Sequence, residues 1–299
     1  MPRVIRYARL PTEQPNPTSR SLDRLSIVQI LRLMNREDLL VPRVVARVIP
    51  QIARAVSLMV EGLHSGGRLF FLGAGTSGRL GVIEAAECPP TFNTPPAMIQ
   101  AIIAGGRRAV VRSREGAEDD RRHASQEVKR RVRPNDVVVG IAASGVTPFV
   151  EAGLEAARTQ GATTVLLAAH QHVRLRSLVD VLIAPQVGPE LITGSTRLKA
   201  GTATKLILNM LTIATMVRLG KVYGHWMVDV RPTSKKLKAR ALRIIQTLGG
   251  VSGQEAAGVL RRANGQVKPA VVMAARKVSF RKAKRLLAQH TGMLRKVLG

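Results

Sequence analysis

The sequence predicts an α/β sandwich on a parallel sheet, followed by a small helical domain. Three observations point there. Short apolar runs and helical stretches alternate from Arg68 to Ala184. The runs are apolar throughout rather than alternating, as strands covered on both faces must be. Beyond Arg231-Pro232 the strand signal stops, and only short helical segments remain, broken at Gly249-Gly250, Gly253, Gly265 and Pro269. The expected parts are an N-terminal arm and helix (1–45), a strand–helix domain (46–230) and a basic helical domain (231–299).

The elements follow in order. Residues 1–20 are rich in Pro, Thr and Asn and read as irregular. Ser21 is expected to cap a helix running to about Asn35, with Leu22, Leu25, Ile27, Ile30, Leu31 and Met34 as apolar positions. A second helical stretch, Arg43 to Leu63, contains Pro50, which should kink or split it. Gly66-Gly67 then hands over to a strand, Leu69–Leu72. A helix is expected from about Ser77 to Glu87, stopped by Pro89-Pro90. Further strands are read at Met98–Ala104, Asp136–Ala142, Thr163–Ala168 and Val181–Ala184. Between them, Glu115–Asp120 opens a helix with acids in its first turn, and Pro148–Gln160 forms another. Leu198–Leu219 is a long helix, apolar on most of its circumference, whose small and apolar faces would suit a subunit interface.

Bulk properties narrow the function. The chain has 299 residues, enough for one large or two modest domains. Aromatics are only 3%, so the core must be built from Val, Leu, Ile, Ala and Met. No apolar run reaches the roughly 18 residues of a membrane span, which argues against a membrane protein. The basic N-terminus lacks the apolar core of a secretory signal; it has a faint transit-peptide flavour but reads as a disordered lead. The single Cys88 excludes an internal disulfide framework and fits a reducing, cytoplasmic setting. The net charge is +28, and residues 231–299 carry 17 Lys and Arg against one acid, Glu255. Such basicity favours anionic ligands. Without stacking aromatics or a binding module, it argues against dedicated nucleic-acid recognition. The six histidines show no ligand spacing, so no metal is expected.

Chemistry concentrates in three loops. Gly73-Ala-Gly-Thr-Ser-Gly78, directly after the first strand, has the spacing G-x-G-x-x-G. Such a turn brings backbone N–H groups and a helix N-terminus to a phosphate. Thr76 and Ser77 add hydroxyls, and Gly78 allows close approach. The second loop, Ala143–Thr147, offers Ser144, Gly145 and Thr147 at the next helix start. The third, Thr193–Gly201, offers Ser195 and Lys199 as further substrate contacts. Taken singly, each loop is also an ordinary Ser/Thr helix cap. A dinucleotide fold would need an acid about 20 residues past the glycines to hold a ribose. No Asp or Glu occurs between Glu87 and Glu115, so no nicotinamide cofactor is expected.

Two carboxylates stand out. Glu87 lies at the expected end of the helix that the glycine loop starts, where the dipole disfavours negative charge. Glu118 lies at the expected start of the next helix, where the dipole favours it, although Asp119 and Asp120 push the other way. Facing one pocket, two such carboxylates would divide acid and base work. The competing readings are a solvated helix end for Glu87 and a first-turn helix acid for Glu118.

These motifs, in order and spacing, resemble the N-acetylmuramic acid 6-phosphate etherase family. The resemblance is carried by Thr12-Glu-Gln-Pro-Asn-Pro17, Leu72–Gly81, Glu87-Cys-Pro-Pro-Thr-Phe92, Ile103–Gly106 and Glu115–Asp120. It continues through Val138–Gly145, Thr193–Thr202, Gly220–Gly224 and Met227–Val230. It implies the sugar isomerase (SIS) fold, a flavodoxin-like parallel-sheet sandwich, and a homodimer without a cofactor. It implies cleavage of a D-lactyl ether on a sugar phosphate in cell-wall recycling, with Glu87 as the acid and Glu118 as the base. The departures are Ala86, Val146 and Ala168-Ala-His-Gln171, which replace a Ser, an Arg and a Ser-Cys-Asn type strand end. Two alternatives stay open: a sugar-phosphate sensor similar to the glucokinase regulatory protein, and a sugar-phosphate isomerase.

Overall fold

A computed structural model describes residue 8 and residues 10–171 and 173–299. The first nine residues, read as a basic lead, therefore lie largely outside the described residues, and so does His172. The described residues fall into two compact units: 1–86 with 97–211, and 87–96 with 212–299.

The first unit is built on five parallel strands: β1 (Leu69–Gly73), β2 (Ile99–Ile103), β3 (Val137–Ile141), β4 (Thr163–Leu167) and β5 (Val181–Ile183). Their order is β2-β1-β3-β4-β5. This is the flavodoxin-like arrangement, in which the strand order reverses between β1 and β3. Gly73 is in register with both Ile103 and Ile141, so the loops leaving β1, β2 and β3 start at one level. At the opposite end, the buried Asp136 accepts from Arg68 N (2.7 Å), from Arg133 N (2.8 Å) and from the Arg68 guanidinium (2.7 Å). That one carboxylate pins the amino ends of β1 and β3 together.

Helices cover both faces. On one, α6 (Arg121–Arg131) and α7 (Pro148–Thr159) pack Val128, Phe149, Val150 and Leu154 against Phe70, Leu72, Val138 and Leu166. On the other run α3 (Ile49–His64) and α4 (Gly75–Phe92). Gly81 of α4 sits so close to Phe71 that a Cβ would lie 2.8 Å from that side chain.

Strand positions agree with the sequence reading to within a residue or two. Helix boundaries differ in four ways, while Pro50 acts as expected. The first helix, α1, spans Ile27–Asp38 and is capped not by Ser21 but by Ser26, which forms a reciprocal capping box with Gln29. Pro50 does split its segment, into α2 (Val41–Ala46) and α3, where it occupies the first turn and lacks only an N–H that would be orphaned anyway. Pro89 and Pro90 do not stop α4, which continues to Phe92. Glu118 lies in a separate 3₁₀ turn, Ala117–Asp119, and Asp120 caps α6 by accepting from His123 N at 2.9 Å. A short helix, α5 (Arg108–Val111), had no signal of its own.

One helix among the described residues, α8 (Lys199–Arg218), is long and apolar enough to cross a membrane. Its start lies in the core of the first unit: Ala200, Ala203, Ile207 and Leu208 are at most 2% exposed.

In the second unit, α9 (Lys235–Gly249), α10 (Gly253–Arg262), α11 (Val267–Arg276), α12 (Phe280–Gln289) and α13 (Leu294–Leu298) enclose a core of Ile244, Ile245, Leu260 and Val271. Pro269 does not break this region; it sits within the first turn of α11. Lys268 is buried and donates to the Gly220 carbonyl and to Asp229, both at 2.9 Å. Burial pulls its ammonium below the usual lysine range, while Asp229 opposes the shift.

Candidate active site

The glycine turn owes its shape to contact between its own glycines. A Cβ on Gly78 would fall 2.6 Å from the Gly73 carbonyl oxygen and 2.6 Å from Ile103 Cγ1. Gly75 holds φ at +52°, a conformation that side chains disfavour. The turn therefore folds tightly onto the end of β2, and α4 starts at Gly75. The first N–H groups of a helix have no intrahelical acceptor. Gly75, Thr76 and Ser77 occupy the first turn of α4. Gly78 N–H donates to Ala74 O at 3.0 Å, so Gly78 shapes the turn rather than donating to an anion.

The second loop leaves β3, next to β1 in the sheet, at the switch point where ligands bind in such folds. Gly145 sits at φ +67° against Val173, and its N–H donates to Ala142 O at 2.8 Å. It too is a turn former rather than a donor. Thr147 precedes α7 but makes no side-chain cap, so its hydroxyl is not spent on the helix. Ser144 Oγ accepts a long 3.5 Å contact from Val146 N.

The third loop reaches the first. A Cβ on Gly201, in the first turn of α8, would lie 3.9 Å from Thr76 Cγ2. Ser195 is half-buried in this loop, its N–H donating to Ile192 O at 3.0 Å. Lys199 corrects the expectation of a substrate contact. Its side chain is buried and its ammonium donates to Glu37 at 2.6 Å. Glu190, fully buried, caps α8 by accepting from Lys199 N and Ala200 N. Burial pushes the Glu37 carboxyl up, but Lys199, Asn16 and Thr18 together outweigh it and hold it below 4.5. Glu190 is held above its ordinary value by burial, against its two backbone N–H donors.

A testable consequence follows. Lys199→Met leaves Glu37 buried without its cation, which costs about 3 kcal/mol in urea denaturation at pH 7. The Glu37 stabilisation exists above its unfolded value of 4.5 and is lost as pH falls through the lower folded value. The difference between wild type and variant therefore shrinks as pH falls below the ordinary carboxylate range.

Glu118 faces the glycine turn. It lines a cavity of about 140 Å³ together with Ala74, Gly75, Arg79, Ser113 and Arg114. A neighbouring cavity of about 310 Å³ shares Arg114, Glu115, Gly116 and Ala117 with it. Glu118 itself is exposed. Glu87 stands exposed on the last turns of α4, within the second unit. Since α4 runs on to Phe92, Glu87 is not at the helix end, and the negative end of the helix dipole lies beyond it. Glu118 lies one turn ahead of α6, not in its first turn. Glu84, one turn before Glu87, is buried and accepts from Lys205 at 2.6 Å.

Sequence reasoning missed Arg79 and Arg114. Arg79 had a signal, since it directly follows the third glycine of the motif. Its Nε donates to Val110 O at 2.9 Å, so the guanidinium is held beside the cavity. A cavity of about 820 Å³ lies in the second unit, lined by Val251, Val259, Met273, Arg262, Lys277 and Glu255. Its one acid is engaged as the capping partner of Ser252 at 2.9 Å, so we place the site at the glycine turn. Among the described residues no group of three or more His, Cys, Asp or Glu side chains could hold a metal ion.

A parallel sheet ordered 2-1-3-4-5, with hydroxyl-bearing loops at its switch point, defines a flavodoxin-like α/β protein with a ligand site at the carboxyl ends of its strands. The Glucokinase regulatory protein N-terminal SIS domain family matches residues 51–158. The phosphoheptose isomerase of Francisella tularensis shares the fold at a TM-score of 0.53 and 17% identity, over 64% of this chain and 100% of that one. Two full-length relatives are much closer in sequence, both named N-acetylmuramic acid 6-phosphate etherase. The one from Rhodopirellula baltica is 48% identical over 97% of this chain and 96% of its own length. The one from Salinibacter ruber is 51% identical over 96% and 93%. The chain belongs to the N-acetylmuramic acid 6-phosphate etherase family.

Proposed function

We propose that the protein is a lyase that cleaves the D-lactyl ether of N-acetylmuramic acid 6-phosphate, giving N-acetylglucosamine 6-phosphate and D-lactate in cell-wall amino sugar recycling. The observation that carries the site assignment is Glu118 lining one cavity with the glycine turn. The phosphate sits at the start of α4, on the first N–H groups and the Thr76 and Ser77 hydroxyls, with Ser144 and Thr147 closing from the next loop. Its binding energy is remote from the reacting carbons and fixes their position.

The chemistry then needs one base and one acid. In the opened sugar an aldehyde at C1 makes the C2 proton acidic. Glu118 removes that proton. The lactyl oxygen on C3 is a poor leaving group, and Glu87 protonates it as the C3–O bond breaks. Elimination leaves an unsaturated aldehyde, and water adds at C3. The working form in this reading is a cytoplasmic homodimer, with Met210, Ile213 and Val217 as exposed apolar residues of α8 available for pairing. The full-length match to etherases favours this reading over a sensor, whose family model covers residues 51–158 alone.

The test is direct. Pure protein incubated with N-acetylmuramic acid 6-phosphate releases D-lactate, measured enzymatically. Binding of the sugar phosphate without lactate release would favour the sensor and overturn the lyase.

A further inference from the structure

The loop carrying Ser144 and Thr147 is held by a side chain that the chemistry above does not use. The β3–β4 ladder continues past both strands: Ala142 N donates to Leu167 O at 3.0 Å, and Ala169 N donates to Ala143 O at 2.9 Å. The next rung is not backbone. His170 Nε2 lies 2.8 Å from the Ser144 carbonyl oxygen. A carbonyl only accepts, so Nε2 carries the proton and the neutral ring is the Nε2–H tautomer. His170 is 4% exposed, and its buried Nδ1 has no partner among the described residues. A buried ring nitrogen left unpaired is costly. Among the described residues the ring makes one polar contact, the one to Ser144.

That contact completes the fixation of one peptide. The Ser144–Gly145 unit gives its carbonyl to His170 and its N–H to Ala142 O at 2.8 Å. Its left-handed turn at Gly145 is wedged against Val173. With both faces of the peptide spent, the Ser144 hydroxyl and the residues after Gly145 are set in one orientation before any ligand arrives.

We propose that His170 is a positioning residue for the anion-binding loop: its Nε2–H fixes the Ser144 carbonyl and so preorganises Ser144 and Thr147 for the substrate phosphate. The proposal rests on the assignment of this loop to the phosphate. Preorganisation of a ground-state handle acts on binding rather than on the chemical step. Loss of one such hydrogen bond weakens binding by about fivefold to tenfold.

The experiment compares three full-length proteins: wild type, His170→Gln, which keeps a donor at similar reach, and His170→Phe, which keeps ring volume without one. KM, kcat and the inhibition constant of inorganic phosphate are measured for each. In His170→Phe, KM and the phosphate constant rise together by about fivefold to tenfold while kcat stays within about twofold. His170→Gln restores both. Wild-type ¹⁵N spectra show the Nε2–H tautomer at His170. Equal KM and equal phosphate inhibition in the Phe and Gln variants overturn the proposal, as does a loss confined to kcat. If inorganic phosphate fails to compete with substrate on the wild type, it is the phosphate assignment itself that falls, which separates the two failures.

Discussion

Glu118→Gln abolishes exchange of the substrate C2 proton with solvent and lowers D-lactate release by about 10²–10⁴-fold, the range for loss of a positioned general base. The structure makes this variant unusually clean. Glu118 is exposed and forms no ion pair or hydrogen bond among the described residues, so its replacement by an isosteric amide changes stability by less than about 0.5 kcal/mol. The cavity keeps Arg79 and Arg114, so the site stays cationic and KM changes little. An inactive protein with an unchanged melting temperature locates the defect in proton transfer. The measurement is proton NMR of the substrate in D₂O beside a lactate assay. Retained exchange at C2 would remove Glu118 as the base.

Glu87→Gln separates the two halves of the reaction. The base is still present, so the C2 proton continues to exchange. The lactyl oxygen no longer receives a proton as it leaves, and lactate release falls by about 10²–10⁴-fold. The two variants thus differ in kind: one loses exchange and release together, the other loses release alone. Glu87 is exposed in a helix interior, where Gln is a comparable helix former, so the fold tolerates the change. The same D₂O spectra and lactate assay read it. Wild-type lactate release in this variant would show that another group, or water, supplies the proton.

Local pattern carried the sheet well. Each strand is a short run of apolar residues bounded by Gly, Pro or polar residues, and those signals do not depend on distant partners. The glycine turn was legible for the same reason, since its tight shape is made by Gly73, Gly75 and Gly78 within one hexapeptide. What failed was long-range. Lys199 reads as a free cation beside a hydroxyl-rich loop, yet its partner Glu37 lies 162 positions away and no local signal links them. Pro89 and Pro90 read as a stop, yet α4 passes through them. Their cost is two missing N–H donors, and sequence alone does not show what surrounding structure offsets it. Acids favour first turns, so the sequence pattern reads Glu118 into a helix. Gly116, at φ +70°, instead turns the chain just before it, and Asp120 takes the cap. The displacement brings Glu118 toward the cavity rather than onto α6.

Reaction of the wild-type protein with N-acetylmuramic acid 6-phosphate in D₂O, followed by NMR of the sugar product, tests the central claim most directly. Elimination and rehydration place one deuterium at C2 of N-acetylglucosamine 6-phosphate for every D-lactate released. Lactate released with protium fully kept at C2 would mean that the ether is cleaved without removal of that proton, and would contradict the role assigned to the glycine-turn cavity and Glu118.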